Sequence, residues 1–148
     1  MRSVLILLSL SIGVCLQAAF GPESGSSNPD SYRGRQLVVG SGGGITGLTD
    51  TYYLFENGNL YARSEGDSAF TRLRKQPAAI VRRLFKMVED DCRIRSARFD
   101  NPGNVYRFVR WKRAKEEHTV TWGDPRQPAP ASYTKLYRSF MTMVASAR

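Results

Sequence analysis

The chain holds a single histidine, His118, and two cysteines, of which Cys15 falls inside the opening apolar stretch and only Cys92 lies beyond it. A zinc centre takes three or four Cys, His or carboxylate ligands, so one of each does not make a set. The same count excludes a disulfide framework past residue 19. A lone thiol in an oxidising compartment packs as a small hydrophobe or, less often, bridges two chains. His118 and Cys92 are arithmetically a nucleophile and base, but no third group is signalled to orient them, and a structural histidine within a strand is expected. Acidic runs are short. Glu89-Asp90-Asp91 is expected at a helix end or beside an arginine, and Glu116-Glu117 to solubilise a loop; neither has the spacing of a calcium loop. Past residue 19 no apolar run reaches the roughly 20 residues of a membrane-crossing helix. No catalytic residue, metal or cofactor is expected, and no transmembrane helix in the mature chain.

What is present begins at the N-terminus. Arg2 precedes an apolar run over residues 4–10 that continues through Ile12, Val14 and Leu16 to Gln17-Ala18-Ala19. A positive residue, an apolar stretch and a small-residue cleavage site define a signal peptide over residues 1–19, and with it export to the periplasm, cell surface or exterior. Lipidation at Cys15 is the other use of this segment, although bulky Val14 ill suits the position before a lipidated cysteine. Residues 20–34 (FGPESGSSNPDSYRG) contain too few large apolar groups to offset the entropy of ordering them and read as a flexible linker. Residues 35–148 are the size of one domain with one core.

Charge is lopsided. There are 22 Lys and Arg against 13 Asp and Glu, a net charge of +9. That balance favours an anionic envelope component, a polyanion or an acidic protein as partner, and it also serves solubility alone. The densest basic stretch comprises Arg72, Arg74, Lys75, Arg82 and Arg83, with Lys86 following.

Periodicity predicts the elements. Residues 36–39 form a short β-prone run ending in a flexible Gly40-Ser41-Gly42-Gly43-Gly44. Residues 49–55 and 60–63 flank Asn57-Gly58, whose residues accept the positive φ of a tight hairpin turn. Pro77 opens a helix whose Ile80, Val81, Leu84, Phe85 and Val88 share a face. Asn101-Pro102-Gly103-Asn104 is a turn, residues 105–111 a strand, residues 112–117 a charged hairpin loop and residues 118–122 its returning strand. Tyr133, Leu136, Tyr137, Phe140, Met141 and Val144 repeat at helical spacing to the C-terminus. The fold class expected is α+β: an antiparallel β-sheet built from hairpins, with two helices packed on one face.

Gly42-Gly43-Gly44-Ile45-Thr46-Gly47 matches G-x-G-x-x-G, but a dinucleotide site needs a helix immediately after it, and the residues that follow have a strand's composition. No dinucleotide is expected. A mobile loop that approaches a partner closely is expected instead, with Gly42, Gly43, Gly44 and Thr46 in contact. Tyr106, Phe108, Trp111 and Trp122 would stack bases or sugars if they stood beside arginines on an open sheet face; as alternating aromatics they equally form one side of a packed sheet.

The glycine motif, followed by Tyr53-Leu54-Phe55-Glu56-Asn57-Gly58-Asn59-Leu60-Tyr61, Pro102-Gly103-Asn104-Val105-Tyr106-Arg107-Phe108 and Thr121-Trp122-Gly123, resembles a family of short exported bacterial proteins, many of them lipoproteins, with no established activity. The resemblance spans residues 37–144 and implies a fold, with no catalytic residue to carry over. The expected function is a non-enzymatic, monomeric binding module of the bacterial envelope or exterior that contacts an unknown protein or anionic component through the glycine loop and hairpin ends. A secreted peptidase inhibitor and a polyanion-binding basic domain are the alternatives.

Overall fold

The computed structural model describes residues 28–148. The expected signal segment, Cys15 and the first part of the expected linker lie outside them. Seven strands form one sheet in the order β4-β3-β2-β1-β6-β7-β5. They are β1 (Arg35–Gly43), β2 (Asp50–Phe55), β3 (Leu60–Ser64), β4 (Thr71–Arg72), β5 (Asp100–Asn101), β6 (Val105–Arg113) and β7 (Glu116–Trp122). All neighbours run antiparallel except the two-residue β5, which lies parallel to β7. Helices α1 (Ala78–Lys86) and α2 (Ala131–Ala147) complete the α+β fold, and α1 runs into one π-helical turn, Met87–Asp91.

Both helices bury their apolar faces on the same side of the sheet. Val81, Leu84 and Phe85 from the first with Val88 from its π-helical turn, and Tyr133, Leu136, Phe140 and Val144 from the second, meet Leu37, Val39, Leu54, Leu60, Val109, Trp111, Val120 and Trp122. Strand alternation accounts for the selection, since every second residue of each strand points toward the helices. Trp111 and Trp122 are therefore core residues. The β2–β3 hairpin forms around Asn57-Gly58, but its turn differs from the expected one: Gly58 takes φ +90 while Asn57 keeps a negative φ, and four residues, 56–59, make the connection. The expected loop over residues 112–117 is shorter than predicted, because β6 runs to Arg113 and β7 starts at Glu116, leaving a two-residue turn in which Ala114 takes φ +53.

Two expectations are corrected. The glycine-rich segment is not a free loop at its start: Gly40, Gly42 and Gly43 belong to β1, the central strand, where they pair with Phe108, Tyr106 and Val105 of β6. The reason is steric. A Cβ on Gly40 would sit 2.5 Å from the Phe108 ring, and one on Gly42 2.7 Å from the Tyr106 hydroxyl, so the absent side chains give these rings room to lie across the strand. The chain leaves the sheet only at Gly44.

The second correction concerns the linker, whose last residues are packed. The Asn28 carbonyl accepts N–H bonds from Ser31 and Tyr32, Pro29 is buried, and Tyr32 stacks on Phe55 at 4.0 Å between centroids. The Gln36 amide, 1% exposed, donates to the Pro29 and Tyr32 carbonyls at 3.0 Å each. Those bonds satisfy a buried polar group and fasten residues 28–34 to the sheet face opposite the helices.

Glu89, in the π-helical turn, ties helix to sheet. It accepts the Trp111 indole N–H at 2.9 Å and the Arg35 guanidinium at 3.2 Å, while Arg35 also donates to Glu56 at 2.8 Å. The Glu56 hydrogen bond, opposed by partial burial and aided by the charge of Glu89, raises the Arg35 pKa above its ordinary value.

Gly40→Ala is expected to lower the unfolding free energy by about 2 kcal/mol, the scale of forcing a methyl into a packed site. Urea denaturation followed by tryptophan fluorescence measures this; an unchanged midpoint would contradict the account of β1.

Candidate functional site

The structure divides the predicted basic cluster. Arg72 pairs in register with Tyr61 on the sheet face away from the helices, where its guanidinium donates to Asn59 at 3.3 Å. Arg83, on α1, instead lines a depression between the helices together with Arg138. Arg74, Lys75 and Arg82 are exposed, the Arg74 N–H bonding to the Ala147 carbonyl. Adjacency in sequence therefore does not become one basic patch, because the strand-to-helix passage carries the residues around the edge of the sheet.

Of the glycine motif, Ile45, Thr46 and Gly47 are exposed, as is Leu48 just after it. Ile45, Leu48 and Val105 are the exposed large hydrophobic side chains among the described residues, and they share one end of the sheet. Gly44 donates its N–H to the Asn104 carbonyl at 2.8 Å, fixing the loop base beside Val105.

The four candidate stacking aromatics separate by face. Tyr106 and Phe108 point away from the helices, with Arg110 5.9 Å from the Phe108 centroid and the Tyr106 hydroxyl 3.1 Å from Thr49 Oγ1. Tyr53 lies on the same face; burial raises its pKa, opposed by nearby Arg63 and Arg110 and reinforced by Asp30. Trp111 and Trp122 face the helices.

An open groove of about 710 Å³ runs beside α2. Its floor is Trp122, Tyr137 and Met141, with Ala145 further along the helix; the 123–129 segment forms the other wall, and Arg107 of β6 and Arg138 of α2 also line it. Trp122 meets Tyr137 edge-on at 5.7 Å, and the Arg107 guanidinium lies 5.6 Å from the Tyr137 centroid. Among the described residues neither Arg107 nor Arg138 makes an ion pair, whereas the one acidic lining residue, Asp124, is occupied by Arg126 at 3.1 Å. The Arg126 hydrogen bonds hold the Asp124 carboxyl below its ordinary range. The groove therefore combines an apolar floor with uncompensated positive charge. From Thr134 to Ala145 it follows α2 for about 16 Å at 1.5 Å per residue, the span of about five extended residues.

Sequence reasoning missed this groove. Tyr137 and Met141 were expected among the core residues of α2, and they are half-buried, lying on the flank of that face. Their spacing to Ala145 and the adjacency of Arg138 were the available signal; the approach of Arg107 from β6 was not readable from helix periodicity.

His118 and Cys92 have other partners. The His118 Nε2 lies 3.0 Å from Glu116, and its ring is 6.1 Å from Trp111. Cys92 is buried, and the Tyr133 hydroxyl donates to the Cys92 carbonyl at 3.1 Å. No group of three His, Cys, Asp or Glu among the described residues is placed to hold a metal, and no helix among them is long and apolar enough to cross a membrane.

No protein-family model and no curated protein matches this chain.

Burial pushes the Cys92 thiol from 9.0 to about 11, against a weaker opposing bond from Ser132. Because the folded value is the higher, stability is complete below about pH 9 and declines toward 11, where the unfolded chain alone ionises. Cys92 should resist a thiol-reactive disulfide reagent at pH 8 and react fully once guanidinium is added; rapid native-state labelling would contradict its burial.

Proposed function

We propose that this chain is an exported, non-enzymatic binding module that docks an acidic, apolar segment of a partner protein in the groove beside α2. One observation carries the reading: an open apolar floor of Trp122, Tyr137 and Met141 flanked by two arginines without ion-pair partners among the described residues. Aromatic and arginine side chains around a concave apolar patch are the composition of protein-binding hot spots. An extended peptide fits better than a compact ligand, because the groove is long and unroofed along the helix. A carboxylate on the peptide would meet Arg107 or Arg138 on a weakly hydrated, planar donor. The overall charge of +9 would speed the encounter with an acidic partner. Export rests on the N-terminal apolar run ending in Gln17-Ala18-Ala19.

The exposed tip adjoins this surface. Gly123, which lines the groove, packs its backbone against Val105, and Val105 in turn neighbours Gly44. The tip also supports a second reading: the fully exposed Ile45 is a side chain that a peptidase cleft would accept, as an inhibitor requires. A panel of secreted peptidases tests it, with no inhibition at micromolar protein ending that reading.

A random peptide library panned on the protein is expected to enrich sequences that place Asp or Glu beside large apolar residues. The exposed double variant R107E/R138E should weaken the enriched peptides at least about tenfold with little change in Tm. Enrichment without acidic residues, or undiminished binding to the variant, would defeat the reading.

A further inference from the structure

We infer that the sheet face opposite the helices carries a separate site for a phosphate-class oxyanion, built by Arg63, Arg72 and the Tyr61 hydroxyl. The three side chains line one pocket of about 650 Å³, walled by Asn28 and Asp30 on one side and by Ser68, Ala69 and Phe70 on the other. Strand geometry brings them together. Tyr61 and Arg72 are directly opposed in the β3–β4 ladder, and Arg63 follows Tyr61 by two residues on the same face. Arg63 is thus the diagonal neighbour of Arg72, about 7 Å away, a spacing that two long guanidinium arms can still bridge to one ligand.

The observation that points to a ligand is the Tyr61 hydroxyl. Tyr61 is 4% exposed, and its hydroxyl is the buried side-chain polar atom without a hydrogen-bond partner among the described residues. Buried hydroxyls are nearly always paired, so an unpartnered hydroxyl on a side chain that lines this pocket with two arginines marks a place where an acceptor belongs. The arginines are held but not neutralised. Arg63 donates through Nε to the Asp67 carbonyl at 3.2 Å and covers the Phe70 ring at 5.1 Å; Arg72 donates through one Nη to Asn59. Neither makes an ion pair among the described residues, so donors remain on both guanidiniums for the tetrahedral oxygens of a phosphate, which arginine binds through paired N–H groups.

Asp30 is the opposing charge on the wall. It selects against a ligand that crowds that side with further negative charge, and it supplies a test of sign. If an oxyanion occupies the pocket, removing the Asp30 carboxylate strengthens binding; if the pocket takes a cation or a neutral polyol, the same change weakens it.

The experiment is calorimetric titration of the purified protein with inorganic phosphate, alongside thermal unfolding with and without it. Phosphate is expected to raise Tm. Arg63→Ala and Arg72→Ala should each weaken phosphate about tenfold, while Arg72→Lys loses less. Tyr61→Phe should weaken phosphate several-fold yet raise Tm in phosphate-free buffer, a combination that a purely structural tyrosine would not produce. Asp30→Asn should tighten binding. Glycerol phosphate and vesicles of phosphatidylglycerol, set against phosphatidylcholine vesicles, distinguish a soluble phosphate ester from a lipid headgroup. If Arg63→Ala does not fold, Arg63→Gln, which keeps most of the stem over Phe70, takes its place. Absence of any response to phosphate, an undiminished response in Arg63→Ala and Arg72→Ala, or weakening by Asp30→Asn would overturn the inference.

Discussion

The fold turns on the missing side chains of β1. This strand is paired along both edges, to β2 and to β6, and it therefore carries the centre of the sheet. On the face away from the helices it presents Gln36, Val38, Gly40 and Gly42, so half of that strip has no side chain. Phe108 and Tyr106 occupy the space from the neighbouring strand, and Val38 beside them is buried although no helix covers it. A sheet with helices on only one side must hide or hydrate its other side. Here flat rings laid over glycine, together with residues 28–34 fastened through Gln36, cover much of it without a third layer.

That arrangement decides where charge can act. Because alternate strand residues go to opposite faces, Trp111 and Trp122 join the core while Tyr106 and Phe108 serve the far side. The arginines divide likewise: Arg107 stands over Tyr137 on the helical side, and Arg63, Arg72 and Arg110 stand on the other. Arg110 is partly neutralised by Glu117 at 3.3 Å and bonds Thr119 at 3.1 Å. Basic residues that count together in the sequence thus work as two populations, separated by the thickness of the sheet.

Much of this was readable from the residues, and the failures have physical causes. Asn57-Gly58, Pro77 and the spacings in α1 and α2 are local signals whose meaning does not depend on distant residues, and the hairpin and both helices form where those signals stand. Gly42-Gly43 is the opposite case. Glycine lowers strand propensity locally, so the run reads as a loop, and only the rings of Tyr106 and Phe108, more than sixty residues away, convert the absence of side chains into a packing requirement. The segment at residues 28–34 misled for a related reason: its composition is that of a linker, but Gln36 supplies the hydrogen bonds and Phe55 the stacking surface that its own residues lack. The groove beside α2 was hidden because helical periodicity reports which residues share a face, and not how far a neighbouring strand end leaves that face uncovered.

The two proposed sites lie on opposite faces of one rigid sheet, which has consequences for how they would act together. A ligand on one face cannot displace a ligand on the other by contact, and β1, paired on both sides, offers no hinge between them. Occupation of both would therefore be additive in free energy apart from long-range charge, and each bound anion would lower the positive potential felt at the other site. At physiological salt the screening length is about 8 Å, comparable with the sheet and its side chains, so that coupling is small. A module of this design gains from two weak contacts by holding its ligands at a fixed separation and orientation, raising the effective concentration of one partner beside the other. Fixed geometry of that kind is what a paired central strand supplies and a flexible glycine loop would not.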